Sequence, residues 1–305
     1  MPNQPRPPQH AQDHARHRGR RALAGAGVLL VLSTVFVAGG TAQAAPAAPA
    51  APAVDRPSGQ AVAETGAPAA SPARNKSRVT AAVLDLDGTG REPTVYGDDV
   101  TYDTASIIKV DILATLLLQA QDAGRRLTAQ ERAHAEPMIR HSDNAAANAL
   151  WREIGRAPGL EAANKRLGLT QTKGGSGTRW GLTRTTASDQ IRLLRAVFDA
   201  AGKPDTGAAA LDAESRTYVR TLMAGVANEQ AWGVSAASAS GWALKNGWLQ
   251  RSTSGLWDVN SVGRIVVDGH RYLVAVLSDG SISMKDGVAL VERTARAALT
   301  SASGH

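Results

Sequence analysis

Ser106-Ile-Ile-Lys-Val-Asp-Ile-Leu-Ala-Thr-Leu-Leu-Leu118 is apolar at most positions, yet it carries a hydroxyl and an amine at its head. Apolar residues on every face predict a buried helix, ending at Gly124. Ser106 and Lys109 stand i and i+3, so on that helix they share a face and can come within hydrogen-bond reach. A desolvated lysine, above all one beside another cation, can be neutral at pH 7 and accept a serine proton. Taken alone, an S-x-x-K also fits a helix-capping serine and a surface lysine. The apolar run argues against the second half of that reading, because a lysine without a role is costly there.

Outward from this helix, the pattern segregates. Val79–Asp87 is β-rich, Gly88-Thr-Gly90 turns it, and Thr94–Tyr96 reads as the returning strand. Residues 128–170 read as two or three helices. Thr186–Ala200 is another, with Ile191, Leu194, Val197 and Phe198 on one stripe, and Ser215–Met223 is a short one. Strands return at Ala243–Leu249, Leu256–Val267 and Tyr272–Leu277, with a hairpin at Gly269, and Val288–Leu299 closes the chain as a helix. Strands, then helices, then strands indicate an α+β fold with an antiparallel sheet and a separate helical lobe. A cleft between the two is the natural place for a site.

Two further motifs stand on suitable elements. Ser142-Asp143-Asn144 opens an Ala-rich helix, where an N-cap is the plain alternative. Lys245-Asn246-Gly247 lies on a strand between Trp242 and Trp248, where an edge-strand lysine is the plain alternative. Trp242 and Trp248 are six apart, so both face one side; either they lie beside the site or they are core aromatics. S-x-x-K, S-D-N and K-N-G in this order are much rarer by chance than any one alone.

The conjunction resembles the class A β-lactamase and penicillin-binding-protein superfamily, whose signatures are S-x-x-K, S-D-N and K-T-G. Tyr102-Asp-Thr-Ala-Ser106, Ser142-Asp-Asn-Ala-Ala-Ala-Asn148 and Thr185-Thr-Ala-Ser-Asp-Gln-Ile191 match the surroundings of its motifs. Within it, the chain is most similar to secreted actinobacterial class A-like serine hydrolases, whose third motif reads Lys-Asn-Gly-Trp. The resemblance implies a β-lactamase-like fold, with the sheet flanked by N- and C-terminal helices beside an all-helical lobe. It implies that Ser106 is the acylated nucleophile, that Lys109 activates it, that Ser142 relays a proton to the leaving nitrogen, and that Lys245 holds the substrate carboxylate. Asn144, Asn246, Gly247 and Trp248 are the expected substrate-binding residues, with the backbone amides of Ser106 and Trp248 as oxyanion hole.

Three departures qualify the resemblance. No Asp or Glu lies between Lys165 and Thr186, where a class A enzyme carries its deacylating Glu; Lys173, Arg179 and Arg184 make that loop cationic, and Asp189 lies beyond it. The spacing from Ser106 to Ser142 is short. Asn246 stands in place of a Thr or Ser, removing a hydroxyl donor; Arg264 on the next strand is either a substitute charge or a solvated strand arginine.

The remaining sequence bounds compartment and partners. The 305 residues carry a net charge of +7, but residues 1–44 hold five Arg and one Asp, so +4 belongs to that segment and +3 to the rest. Basicity therefore gives no reason to expect nucleic acid. Residues 1–44 read as a signal peptide: Arg18, Arg20 and Arg21, the apolar run Ala22–Gly40, then Thr41-Ala-Gln-Ala-Ala45 with a cut after Ala44. A retained single anchor is the alternative, and Arg20-Arg21 permits twin-arginine export. Residues 45–76, rich in Ala and Pro, read as a semi-extended linker that could thread a cell wall. Residues 77–305 form the folded domain, with Ala200–Ala210 as a surface loop. Cysteine is absent, which excludes disulfides, a thiolate nucleophile and a lipidated N-terminal Cys. His134, His141 and His270 show no ligand spacing, so no metal or other cofactor is expected. The expectation is a secreted, monomeric serine acyl-enzyme hydrolase or acyltransferase. It would act on a small molecule or a peptidoglycan peptide and meet a membrane only through its signal segment. The rival is a non-catalytic cell-wall-binding module on the same fold.

Overall fold

The computed structural model describes residues 77–90, 92–199, 211–238 and 240–303. The signal, linker and Ala200–Ala210 expectations fall outside these residues. Five strands form an antiparallel sheet in the order β2-β1-β7-β6-β5. They are β1 (Arg78–Asp85), β2 (Thr94–Tyr96), β5 (Ser240–Gln250), β6 (Trp257–Val267) and β7 (His270–Ser281). The fold is α+β, as the segregated pattern predicts.

Period-two alternation gives the sheet two apolar faces. Ala82, Leu84, Ala243, Val262, Leu273, Ala275 and Leu277 pack towards the helices of the central chain. Ala81, Val83, Leu244, Val259, Ile265, Val274 and Val276 pack with Val291, Ala295 and Leu299 of the closing helix α7 (Met284–Ser303). Each buried Val, Leu or Ile among them contributes ~1.5–3 kcal/mol, so both faces are strongly specified.

The helical lobe is built around α1 (Ile108–Asp122), in which every residue from Ile108 to Leu118 is buried. Three helices fill the next stretch: α2 (Ala129–Arg140), α3 (Asn144–Glu153) and α4 (Arg156–Leu167). Their starts follow from local chemistry. Thr128 and Glu131 form a reciprocal capping box on α2, Asp143 caps α3 through the Ala146 N–H, and Gly155, left-handed at φ 84°, admits the turn into α4. Then come α5 (Ala187–Phe198) and α6 (Ala213–Ala224).

Two features escape the sequence pattern. A two-stranded ladder joins β3 (Tyr102–Asp103) to β4 (Arg184–Thr185), too short to show alternation. The segment that carries Ser106 opens with a 3-10 turn, Ala105–Ile107, before α1 begins. Ala105 sits there at φ 46°, a non-glycine in the left-handed region. Of the expected flanking helices, α7 covers one face of the sheet; the chain before residue 77 lies outside the described residues. No helix among the described residues is long and apolar enough to cross a membrane.

Candidate active site

Three motifs from three elements meet at one hydroxyl. Lys109, fully buried on α1, donates to the Ser142 carbonyl at 2.6 Å, to Ser142 Oγ at 3.1 Å and to Asn144 Oδ1 at 2.8 Å. Lys245, buried on β5, donates to the same Ser142 Oγ at 2.9 Å and to the Asn246 carbonyl at 2.9 Å. Both lone pairs of the Ser142 hydroxyl are thereby occupied, which leaves its own hydrogen to point elsewhere. Ser142 holds this position at φ 56°. A non-glycine residue there costs ~1–3 kcal/mol, strain that concentrates at functional sites.

Burial sets the charge states. Loss of solvent lowers the Lys109 amine to about 7, partly opposed by Asp143. Lys245 is driven well below the usual lysine range, first by burial and then by Lys109. Lys109 is therefore close to half neutral at pH 7, with a lone pair available to a proton. No hydrogen bond among the described residues runs from Lys109 to Ser106; its three donors are taken by Ser142 and Asn144.

Ser106 is partly exposed at the mouth of the 3-10 turn. Gly247 lies against it: a Cβ on Gly247 would stand 2.6 Å from the Ser106 nitrogen, 2.8 Å from the Ile107 nitrogen and 2.8 Å from the Thr104 carbonyl oxygen. β5 is an edge strand, so the backbone groups of its free side carry no ladder partner at this approach. Asn260 Nδ2 donates to the Asp103 and Thr104 carbonyls, and Asp103 is bridged by both Arg184 and Arg251. These contacts fix the segment leading to Ser106.

The structure thus brings together Lys109, Ser142, Asn144 and Lys245 directly, with Ser106 and Gly247 adjoining through the backbone. Two expected substrate-binding side chains are not among them. Asn246 is fully buried, and its Nδ2 donates to the Gln230 and Trp232 carbonyls. Trp248 lies 5.9 Å from Trp232, and both Trp248 and Trp242 pack on the α7 side of the sheet. Alternation is the physical reason: with Lys245 and Gly247 on the lobe face, Asn246 and Trp248 must face the other way. The tryptophans are half-buried aromatics packed on that core, so their rings lie on the face away from the lobe. Arg264 rests its guanidinium over the Phe198 ring at 5.9 Å rather than on Ser106 or Ser142.

Trp180, by contrast, is a site residue that the sequence motifs do not reveal. Its ring centroid lies 4.8 Å from Lys109 Nζ, and its indole N–H donates to Asn148 Oδ1 at 2.8 Å. Asp189, the nearest acid beyond the loop, is fully buried. It accepts from the Gln171 N–H and the Thr172 hydroxyl and pairs with Arg192, so it anchors the loop rather than offering a base. Asp85, Asp87 and His270 place possible ligand atoms within 4.8 Å of one another at the β6–β7 hairpin, a proximity that spacing along the chain does not show. Arg271 already bridges Asp87.

Comparison with known proteins agrees with this architecture. A family profile described as the beta-lactamase enzyme family matches residues 122–302. A Mycobacterium tuberculosis protein named as a lipoprotein, LppW, is 28% identical over 123 residues, which covers 40% of this chain and 39% of its own. The match therefore spans well under half the length of that relative. Among solved structures, a β-lactamase from Sphaerobacter thermophilus is 21% identical with a TM-score of 0.59, covering 74% of this chain and 91% of the other. A single-residue mutant of PBP-A, solved as an acyl-enzyme complex with penicillin G, is 19% identical with a TM-score of 0.60, covering 76% and 92%. At these identities the structural likeness speaks for the fold.

Proposed function

Since the chain belongs to the beta-lactamase enzyme family, we propose that it is a secreted serine hydrolase or acyltransferase that forms an acyl-enzyme through Ser106 on a β-lactam or D-alanyl-peptide-like substrate. One observation carries the reading: a single hydroxyl, Ser142 Oγ, held between two buried lysines, one three residues after Ser106 and the other two residues before Gly247, whose backbone packs on Ser106.

The chemistry follows from the charge states. Neutral Lys109 takes the Ser106 proton as Oγ attacks the substrate carbonyl carbon, and a C–O bond forms. The backbone amides of Ser106 and Trp248 receive the oxyanion, a type of contact worth ~10²–10³-fold in rate per donor. When the C–N bond breaks, Ser142 gives its proton to the leaving nitrogen and is reprotonated by Lys109, which returns to neutral. Lys245 gains a partner for its otherwise disfavoured charge when the substrate carboxylate arrives. Asn144 Nδ2 is free to donate to the acyl-side amide carbonyl.

Deacylation is less well provided for. The loop between Lys165 and Thr186 contains no carboxylate and presents the Trp180 indole to Lys109. General-base help is worth ~10²–10⁴-fold, so a penicilloyl adduct lasting minutes or longer fits better than efficient β-lactam turnover. The non-catalytic alternative has to explain two buried lysines with no ion pair among the described residues, which a binding module gains nothing by keeping. Residues 1–44 and 45–76 would export the domain and space it within the envelope, consistent with a relative named as a lipoprotein. Labelling by a serine-hydrolase activity probe tests the reading: it is expected in the wild type and absent in Ser106→Ala.

A further inference from the structure

A cleft of about 850 Å³ opens beside the acylation residues. One wall is α3, through Asn144, Asn148 and Arg152; another is Thr178–Leu182; the third is the end of β5 and the turn after it, Leu249–Thr253. Asn144 belongs to both places, lining the cleft while its Oδ1 accepts from Lys109. A group attached to the acyl carbon would therefore run past Asn144 into this space.

The charge of the cleft is one-sided. Arg152, Arg179 and Arg251 line it, and no Asp or Glu does. Arg251 is engaged by Asp103 and Asp258. Arg152 and Arg179 make no ion pair among the described residues; Arg179 reaches only Ser176 Oγ. The surface between them is firm. Trp180 is tied to Asn148, and the Trp151 indole N–H donates to the Gly177 carbonyl at 2.8 Å. Two unpaired guanidiniums beside a fixed aromatic wall suit a planar carboxylate at the end of a short chain.

We propose that this cleft selects acyl donors whose acyl portion itself bears a carboxylate, with Arg152 and Arg179 as the specificity-determining residues. The proposal rests on the acyl-enzyme reading for the direction in which the substrate lies. Each exposed charge contact is worth ~2–5-fold, so the pair gives a preference on the order of tenfold at low salt.

The test separates binding from chemistry. Ser106→Ala protein is titrated calorimetrically with glutaryl-D-alanyl-D-alanine and with its neutral pentanoyl counterpart. The glutaryl peptide is expected to bind about tenfold more tightly, and the double change Arg152→Gln and Arg179→Gln should bring the ratio close to one. Lys173→Gln, which removes a loop charge outside the cleft, should keep the ratio. Circular dichroism verifies the fold of each variant. Equal affinities, a preference that survives the double change, or no binding of either peptide would overturn the proposal. A failure of the acyl-enzyme reading shows separately, as the absence of a penicilloyl adduct on wild-type Ser106.

Discussion

Gly247→Ala is the sharpest perturbation of the proposed oxyanion pocket. The added Cβ would meet the Ser106 nitrogen at 2.6 Å, with the Ile107 nitrogen and Thr104 carbonyl at 2.8 Å. All three are backbone atoms, so no side chain can rotate away. Restoring an ordinary contact of 3.4 Å from 2.6 Å requires a retreat of about 0.8 Å between β5 and the 3-10 turn. Displacements near 1 Å can cost ~10²-fold in rate, and losing one oxyanion donor costs ~10²–10³-fold. Overpacking itself destabilises by ~1–3 kcal/mol, and each kcal/mol lowers Tm by ~2–4 °C in a domain of this size. The expected signature is thus a ~10²-fold fall in acylation rate in a protein that still melts cooperatively. Quenched-flow labelling with a fluorescent penicillin gives the rate, and circular dichroism gives Tm. Gly90→Ala, where a Cβ meets nothing within 4 Å, is the control. A folded Gly247→Ala protein that acylates within about threefold of wild type would refute the assignment of this approach to the oxyanion pocket.

With Lys109 at about 7, the acylation rate should rise with pH through ~7 as the amine loses its proton, and Lys109→Arg, which stays charged, should abolish that limb. Because burial is the main cause of the Lys109 shift, Trp180→Ala should admit water and move the limb to higher pH. Trp180→Phe should weaken the change in tryptophan emission on acylation, while Trp248→Phe should leave most of it. Asp111 is raised to about 7 by burial, despite the Asn164 amide donating to it at 3.0 Å. Its folded-state pKa lies above the unfolded one, so its contribution is full below pH ~4 and is lost as pH rises to ~7, a loss bounded at ~4 kcal/mol from ~1.4 kcal/mol per pH unit. Asp111→Asn should therefore flatten the fall in Tm between pH 4 and 8.

Sequence carried the elements and the chemistry further than it carried orientation. Buried α1 is legible because its apolar residues cover every face, and the K-N-G strand because Trp242, Leu244, Trp248 and Leu249 flank the motif with large apolar side chains. Parity counted from Lys245 gives the side chains of that strand that share its face, whereas parity between the two tryptophans gives only that they share a face with each other. Lys245 and Gly247 are odd-numbered and share the lobe face, whereas Trp242, Asn246 and Trp248 are even-numbered and face α7. Trp180 could not be found in this way. It lies in a loop without periodicity and reaches Lys109 only because the β3–β4 ladder and the Lys173–Arg184 bridge fold that loop over α1. The short β3 and β4 strands leave no pattern, since two residues cannot alternate. The 3-10 turn at Ala105–Ile107 packs closely on β5 at Gly247, a long-range contact with no local signal.

Intact-mass spectrometry of the protein during incubation with a fluorescent penicillin tests the central claim most directly. The account predicts a single added mass equal to the whole penicillin, on Ser106, persisting for minutes or longer and absent in Ser106→Ala. An adduct that survives in Ser106→Ala, or no adduct in the wild type, would contradict it.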